Sequence, residues 1–174
     1  MATDSREERL ARRIEDLYAS DPQFADARPS DAITAAIDQP GLRLPHIIRT
    51  LMEGYADRAA LGQRTVQFVD DPNTGRTSAE LLHHFQTISY RELSERVGAV
   101  ASALAADVRP GDRVAVLGFT SVDYTTIDVA LIQAGAVSVP LQTSAAVTQL
   151  RPIVAETEPS LIASSVDYLA NAVE

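Results

Sequence analysis

Apolar residues recur at two different periods along this chain, and the change of period divides it. Near the start, Leu10, Ile14, Leu17 and Tyr18 fall three and four apart, the spacing of one helix face. The helix they predict opens at Ser5. Ser5 and Glu8 stand at capping-box spacing, where each side chain satisfies the other's exposed backbone N–H. Arginines and glutamates fill the opposite side, so it reads as a solvated face rather than a basic binding surface. Pro22 follows Asp21 as the first position of a short helix, where its missing N–H costs nothing. Ser30 caps another short helix that Pro40-Gly41 ends. Pro45 starts a longer one, with Ile47, Ile48, Leu51, Met52 and Tyr55 as its apolar stripe.

Between residues 60 and 88 the period drops to two. Val66 and Phe68 alternate with polar neighbours, "DDPNTG" is a dense turn signal, and a second extended segment reaches Ile88. The expectation is one short strand, a turn and a second extended segment. Its adjacent His83 and His84 invite a metal reading. Neighbours on a strand point to opposite faces, so the two imidazoles are not expected to converge on one ion. His46 stands alone and carries no metal expectation either.

Helical spacing then returns. Ser89 and Glu92 form a second capping box, so a helix is expected from Tyr90, with Leu93, Val97, Val100 and Leu104 on one face. Arg109-Pro110-Gly111-Asp112 is a turn into Val114–Leu117, a short apolar run with the look of a buried parallel strand. Thr120 or Ser121 caps the next helix, with Asp123 near its positive end. That helix is apolar nearly all round, so cover is expected on both its sides, and Gly135 ends it. "AVSVPL" is a second strand, "AVTQLRPIVAETEP" a helix despite Pro152, "SLIASS" a third strand, and "SVDYLANAVE" the start of another helix. The expected fold class is therefore α/β: a parallel β-α-β-α-β unit, preceded by helices and a short extended or hairpin region.

A glycine directly after a buried strand raises the question of a phosphate loop. Dinucleotide loops need several glycines, for a tight turn and for close approach of backbone to pyrophosphate. Gly118 is alone in "GFTSVD", and no Gly-Lys-Ser/Thr ending follows. Thr120, Ser121 and Asp123 are placed to satisfy the helix N-terminus internally, and Asp123 would repel a phosphate. The expectation is a structural turn.

Composition narrows the classes. A chain of 174 residues, 45% hydrophobic, suits about one globular domain. The absence of cysteine excludes disulfide scaffolds, cysteine zinc sites and thiol catalysis. A net charge of −9 argues against nucleic acid or an anionic membrane as partner. Apolar runs fall short of a membrane helix, and the charged opening "MATDSREERLARRIEDL" lacks a signal-peptide core. The expected location is the cytoplasm.

Three stretches carry a family resemblance. "ISYREL" resembles the first core motif of adenylate-forming enzymes, "LIQAGAVSVPLQ" resembles their second, and "PGDRVAVLG" lies between them in the order of that superfamily. "RRIEDLYASDPQF", "GYADR", "GRTSAELLHHFQTISYREL", "LGFTSVDYTTIDVAL" and "VPLQTSAAVTQLRPIVAETEP" further resemble the N-terminal part of actinobacterial carboxylic acid reductases, formerly labelled fatty-acid–CoA ligases. The departures are local: His83-His84 stands where the family has Pro-Arg or a similar pair, Ser94 where tryptophan is common, and the stretch near 105–108 is short.

The resemblance implies an incomplete N-terminal subdomain of an adenylation domain. Residues 1–58 would be a helical extension and 59–174 the first part of the AMP-binding domain. It also implies a multidomain parent that activates a carboxylic acid with ATP and Mg2+, captures the acyl group on a phosphopantetheine thiol and reduces it with NADPH to an aldehyde. Partners would be the acid, the rest of the adenylation domain, and the carrier and reductase domains. The family's phosphate loop and catalytic lysine have no counterpart here. No catalytic, cofactor-binding or metal residue is therefore assigned, and the chain alone is expected to be inactive. Tyr90, Glu92, Gly135 and Pro140 match motif positions of architectural role. The buried strands and the helix begun at the end suggest a fragment. Two alternatives stay open: a fragment of an acyl-CoA ligase or peptide-synthetase adenylation domain, and a non-catalytic interaction module.

Overall fold

The computed structural model describes residues 5–174, which divide into two compact units at Leu42/Arg43.

The first unit holds three helices: α1 (Arg6–Ser20), α2 (Pro22–Asp26) and α3 (Asp31–Ile37). Both halves of the Ser5–Glu8 capping box are made, at 3.2 and 2.8 Å. Asp21 caps α2 by accepting from the N–H groups of Gln23 and Phe24, with Pro22 at the first position as expected. The α1 stripe is only half-covered: Ile14, Leu17 and Tyr18 are partly buried, while Leu10 is exposed. Tyr18 packs against Phe24 with ring centroids 4.8 Å apart, and the Arg28 guanidinium lies 4.7 Å from the Tyr18 ring centre. Ser30 occupies the N-cap position of α3, which ends at Ile37 ahead of Pro40-Gly41.

The second unit begins with α4 (Leu44–Gly54), one residue earlier than Pro45, since proline fits either of the first two positions. An antiparallel hairpin follows, β1 (Ala59–Asp70) and β2 (Thr77–Ser89). Here the short-strand expectation is corrected, because β1 runs 12 residues. The ladder of backbone hydrogen bonds carries the strands through polar stretches that show no alternation. The turn is as the sequence indicates. Asp71 accepts from the Asn73 N–H and the Thr74 hydroxyl, and Gly75 takes a positive φ of 64°.

Next come α5 (Tyr90–Leu104), β3 (Arg113–Leu117), α6 (Val122–Ala134), β4 (Val137–Leu141), α7 (Val147–Thr157), β5 (Leu161–Ser164), and a 3-10 turn leading into α8 (Leu169–Val173). The three short strands form a parallel sheet in the order β4-β3-β5. Side chains on β3 alternate between two buried faces. Val114 and Val116 pack with Val108 and Leu131 under α5 and α6. Ala115 and Leu117 pack with Leu141 and Leu150 under α7, with Tyr168 and Ala172 beside them.

The helix α6 is enclosed on two sides. Ala130 and Leu131 are consecutive and both fully buried, yet they belong to different clusters. Leu131 faces the sheet; Ala130 joins Met52, Leu93 and Val97 of α4 and α5. That is why the sequence of α6 is apolar nearly all round. Its buried Thr126 is satisfied by donating to the Val122 carbonyl at 2.8 Å.

Candidate functional site

The first motif, Ser89 to Leu93, builds a joint. The Glu92 carboxylate accepts from the Ser89 N–H at 2.7 Å, and Ser89 Oγ accepts from the Glu92 N–H at 3.2 Å. These contacts hold the Glu92 carboxyl below the usual glutamate range; the Ser89 N–H contributes most, then the Ser89 hydroxyl. Tyr90 packs against Tyr55 with ring centroids 6.1 Å apart, and its N–H donates to the Arg58 carbonyl. The Arg58 guanidinium lies over the other ring of the pair, 4.4 Å from the Tyr55 centre. Arg91 pairs with Asp57 at 2.8 Å. Leu93 is buried. Ser89, Arg91 and Glu92 are thus all engaged through their side chains at the start of α5.

The second motif, around Gly135 and Pro140, turns α6 into β4. Gly135 is left-handed at φ 72°, and the Ala136 N–H returns to the Leu131 carbonyl at 2.9 Å. Pro140 pairs across to Val116 from β4, which flanks the sheet, the position where a residue without N–H is tolerated.

At the carboxyl end of β3 the chain passes through Gly118 to Ser121. Ser121 Oγ accepts from the Tyr124 N–H at 3.1 Å, and the Val122 N–H donates to Gln63 Oε1 at 3.4 Å. Ser121, rather than Thr120, is the cap. Gly118 does not adopt a positive φ, and a methyl group there would meet only ordinary contacts with Tyr124 and Ser165, at 3.6 and 3.8 Å. Nothing in this backbone requires glycine.

Strand order singles out a place at this end of the sheet. The chain moves from β3 to β4 on one side, then crosses back to β5 on the other. In open α/β sheets, ligands bind outside the carboxyl ends of the strands where the order reverses. Here that crevice measures about 300 Å3 and is lined by Gly118, Phe119, Tyr124, Ile127, Ser165 and Val166 among others. Its walls are largely apolar, and two of its hydroxyls are engaged locally: Ser164 donates to the Ser165 carbonyl at 3.0 Å, and Ser121 serves as the cap. It suits an apolar group better than an anion. The sequence carries no local signal for it, because strand order is set by pairing between distant segments.

His83 and His84 sit in a bulge of β2. Arg64 pairs with Phe85 and Val66 with Leu81, so Leu82, His83 and His84 face the single residue Thr65. Strict alternation, the basis for separating the two imidazoles, is interrupted at this point, and both side chains are exposed. No group of three or more His, Asp or Glu residues among the described residues is arranged to hold a metal. All 15 cationic side chains of the chain are arginine, so no lysine is available for chemistry. No helix among the described residues is long and apolar enough to cross a membrane.

A sequence model of the family described as AMP-binding enzyme matches residues 58–173. The chain is 68% identical over 170 residues to the carboxylic acid reductase of Mycobacterium tuberculosis, a match covering 97% of this chain and 15% of that protein. Among solved structures it is similar to the A domain of carboxylic acid reductase from Segniliparus rugosus in complex with AMP and a co-purified carboxylic acid. That match has a TM-score of 0.85 at 47% identity and covers 94% of this chain and 27% of that one. The A-PCP didomain from the same organism, in complex with AMP, matches with a TM-score of 0.84 at 47% identity, over 94% of this chain and 23% of that one. The chain thus spans about 15% of the length of the curated relative it matches. It belongs to the AMP-binding enzymes, and within them it is similar to the N-terminal part of a carboxylic acid reductase adenylation domain.

Proposed function

We propose that this chain serves as one wall of the adenylation domain of a cytoplasmic enzyme that reduces carboxylic acids to aldehydes. Residues 1–58 act as a helical extension and 59–174 as the first part of the AMP-binding fold. The observation that carries this reading is the 68% identity to a carboxylic acid reductase over 97% of the chain.

A carboxylate is a poor electrophile. In the parent, a carboxylate oxygen attacks the α-phosphorus of Mg2+-bound ATP and pyrophosphate leaves, giving a mixed anhydride. A phosphopantetheine thiol on a carrier domain would capture the acyl group as a thioester with loss of AMP, and NADPH would supply the hydride that, with a proton from solvent, frees the aldehyde and the thiol. None of these steps is assigned to a side chain here. The two motifs fix the helix starts and turns of the wall, and later segments of the parent supply the reacting groups. The 174-residue chain by itself is inactive.

The test uses the full-length parent, modified with phosphopantetheine. It is given benzoate or a medium-chain fatty acid with MgATP and NADPH, without coenzyme A. NADPH oxidation and aldehyde should appear together. If a panel of aromatic and aliphatic acids yields neither, while added coenzyme A yields a thioester, the protein is a ligase and the reductase reading fails.

A further inference from the structure

The hairpin carries an exposed apolar face. Opposed residues of paired strands share a face, and the register sets Val66 against Leu81, Phe68 against Ala79 and Arg64 against Phe85. Val66, Phe68, Leu81 and Phe85 therefore lie on one side of the ribbon. Phe68 is 73% and Leu81 60% exposed, and Val66 and Phe85 are exposed as well. On the other side Gln67 meets Glu80 and Val69 meets Ser78, a more polar surface. Apolar residues scattered singly over a surface are ordinary, whereas a contiguous patch marks a place of interaction.

Only the root of the hairpin is anchored. Ala60, Leu61 and Ile88 pack against the core around Met52 and Leu93. None of the four patch residues joins a core cluster among the described residues. The two strands pair only with each other, so both outer edges are open. A two-stranded ribbon is marginal in water unless further strands or a packed layer support it.

Three observations bear on what supplies that layer. The family model begins at residue 58, so the hairpin belongs to the enzyme fold and not to the helical extension. This chain spans 27% of the solved A domain that it matches, so most of such a domain lies outside it. A net charge of −9 on each copy opposes a dimer built on this patch.

We propose that the face of Val66, Phe68, Leu81 and Phe85 is a docking surface for a segment of the same adenylation domain that follows Glu174 in the parent. That segment lays apolar side chains over the ribbon and supports its far half. The proposal rests on the reading of this chain as one wall of that domain.

Two measurements test it. The 174-residue chain has no cysteine, so Phe68→Cys gives it a single thiol. Maleimide labelling, resolved by peptide mass, should be fast in the 174-residue chain and about tenfold slower in the full-length parent, as for a covered site that opens locally. Asn73→Cys, on the exposed turn, should react alike in both. Equal rates for Phe68→Cys would overturn the proposal. So would protection in the 174-residue chain that grows with its concentration, the mark of a second copy. In the parent, p-benzoylphenylalanine in place of Phe68 then identifies the neighbour by photo-crosslinking, and it keeps the aromatic ring if the cysteine variant misfolds. The expected adduct joins position 68 to the adenylation domain after Glu174, at the mass of one chain. An adduct to the carrier or reductase domain, to residues 1–174 or to a second chain would overturn the proposal, as would no adduct at all. Neither readout uses NADPH, so failure of the reductase reading is told apart from failure here.

Discussion

The backbone N–H of Gly111 donates to the carbonyl of Gly135 at 2.9 Å, so the turn before β3 and the end of α6 form one joint. The Val137 N–H adds a bond to the Asp112 carbonyl at 2.8 Å. Both glycines have positive φ, 93° and 72°. They differ in their surroundings: a methyl group on Gly135 would come within 3.3 Å of Pro110 Cβ, whereas nothing lies within 4 Å of one on Gly111. Gly111→Ala should therefore cost about 1 kcal/mol, the strain of a left-handed alanine, and Gly135→Ala clearly more. Urea denaturation of the two variants measures the difference; equal losses would show that Pro110 yields freely.

The Ser89 hydroxyl caps α5, so Ser89→Ala should lower stability by about 1 kcal/mol. In the full-length parent, the denaturation midpoint should fall while KM for the acid stays near normal. A tenfold rise in KM (about 1.4 kcal/mol) without loss of stability would make the pair a binding element.

Acid should remove part of what Glu92 contributes. Its carboxyl is held below the ordinary value by the Ser89 N–H, then by the Ser89 hydroxyl and by Arg96. A depressed carboxyl stabilises the fold above its unfolded value and loses that contribution as pH falls through the folded one. Glu92→Ala should thus be less stable than the unaltered chain near neutrality, and the gap should shrink below about pH 4. Urea midpoints across that range would reveal a gap that stays constant, the contrary result.

Leu117 ends β3 with only 1% of its surface exposed, packed among Ala115, Leu141 and Leu150. Leu117→Ala should cost about 3 kcal/mol through lost burial and a residual cavity. Thermal unfolding of the variant checks it, and a loss under about 1 kcal/mol would mean that α7 collapses into the space.

The isolated chain should not bind MgATP with micromolar affinity. Ser121 already caps the Tyr124 N–H at the head of α6, and no lysine exists anywhere in the chain. Calorimetric titration is the check, and micromolar saturation would reinstate Gly118 as a phosphate turn.

Much of the fold could be read in advance because its signals are local. A capping box is two residues three apart, and those at Ser5 and Ser89 are both formed with the expected contacts. The all-round apolar character of α6 foretold its burial on two sides, since each side faces a different cluster. What escaped is set by partners distant in sequence. The 12-residue length of β1 comes from pairing with β2 and not from its own pattern. The bulge at Leu82–His84 is a matter of register, which no single strand encodes. The crevice beside Gly118 exists only because β5 returns to the far side of β3, and the apolar face of the hairpin joins Val66 and Phe68 to Leu81 and Phe85 only through its register.

The order β4-β3-β5 also has a kinetic side. As the chain is synthesised, the central strand emerges before both of its flanking neighbours. The face bearing Val114 and Val116 finds α5 and α6 at hand almost at once. The face bearing Ala115 and Leu117 gains its helices only when residues after Val147 have left the ribosome. Until then the nascent sheet shows one bare apolar side and open strand edges, the state most exposed to chaperone capture or aggregation. The slow step of folding should accordingly be the docking of α7 and β5 rather than the closing of the local helices, which nearby contacts drive quickly.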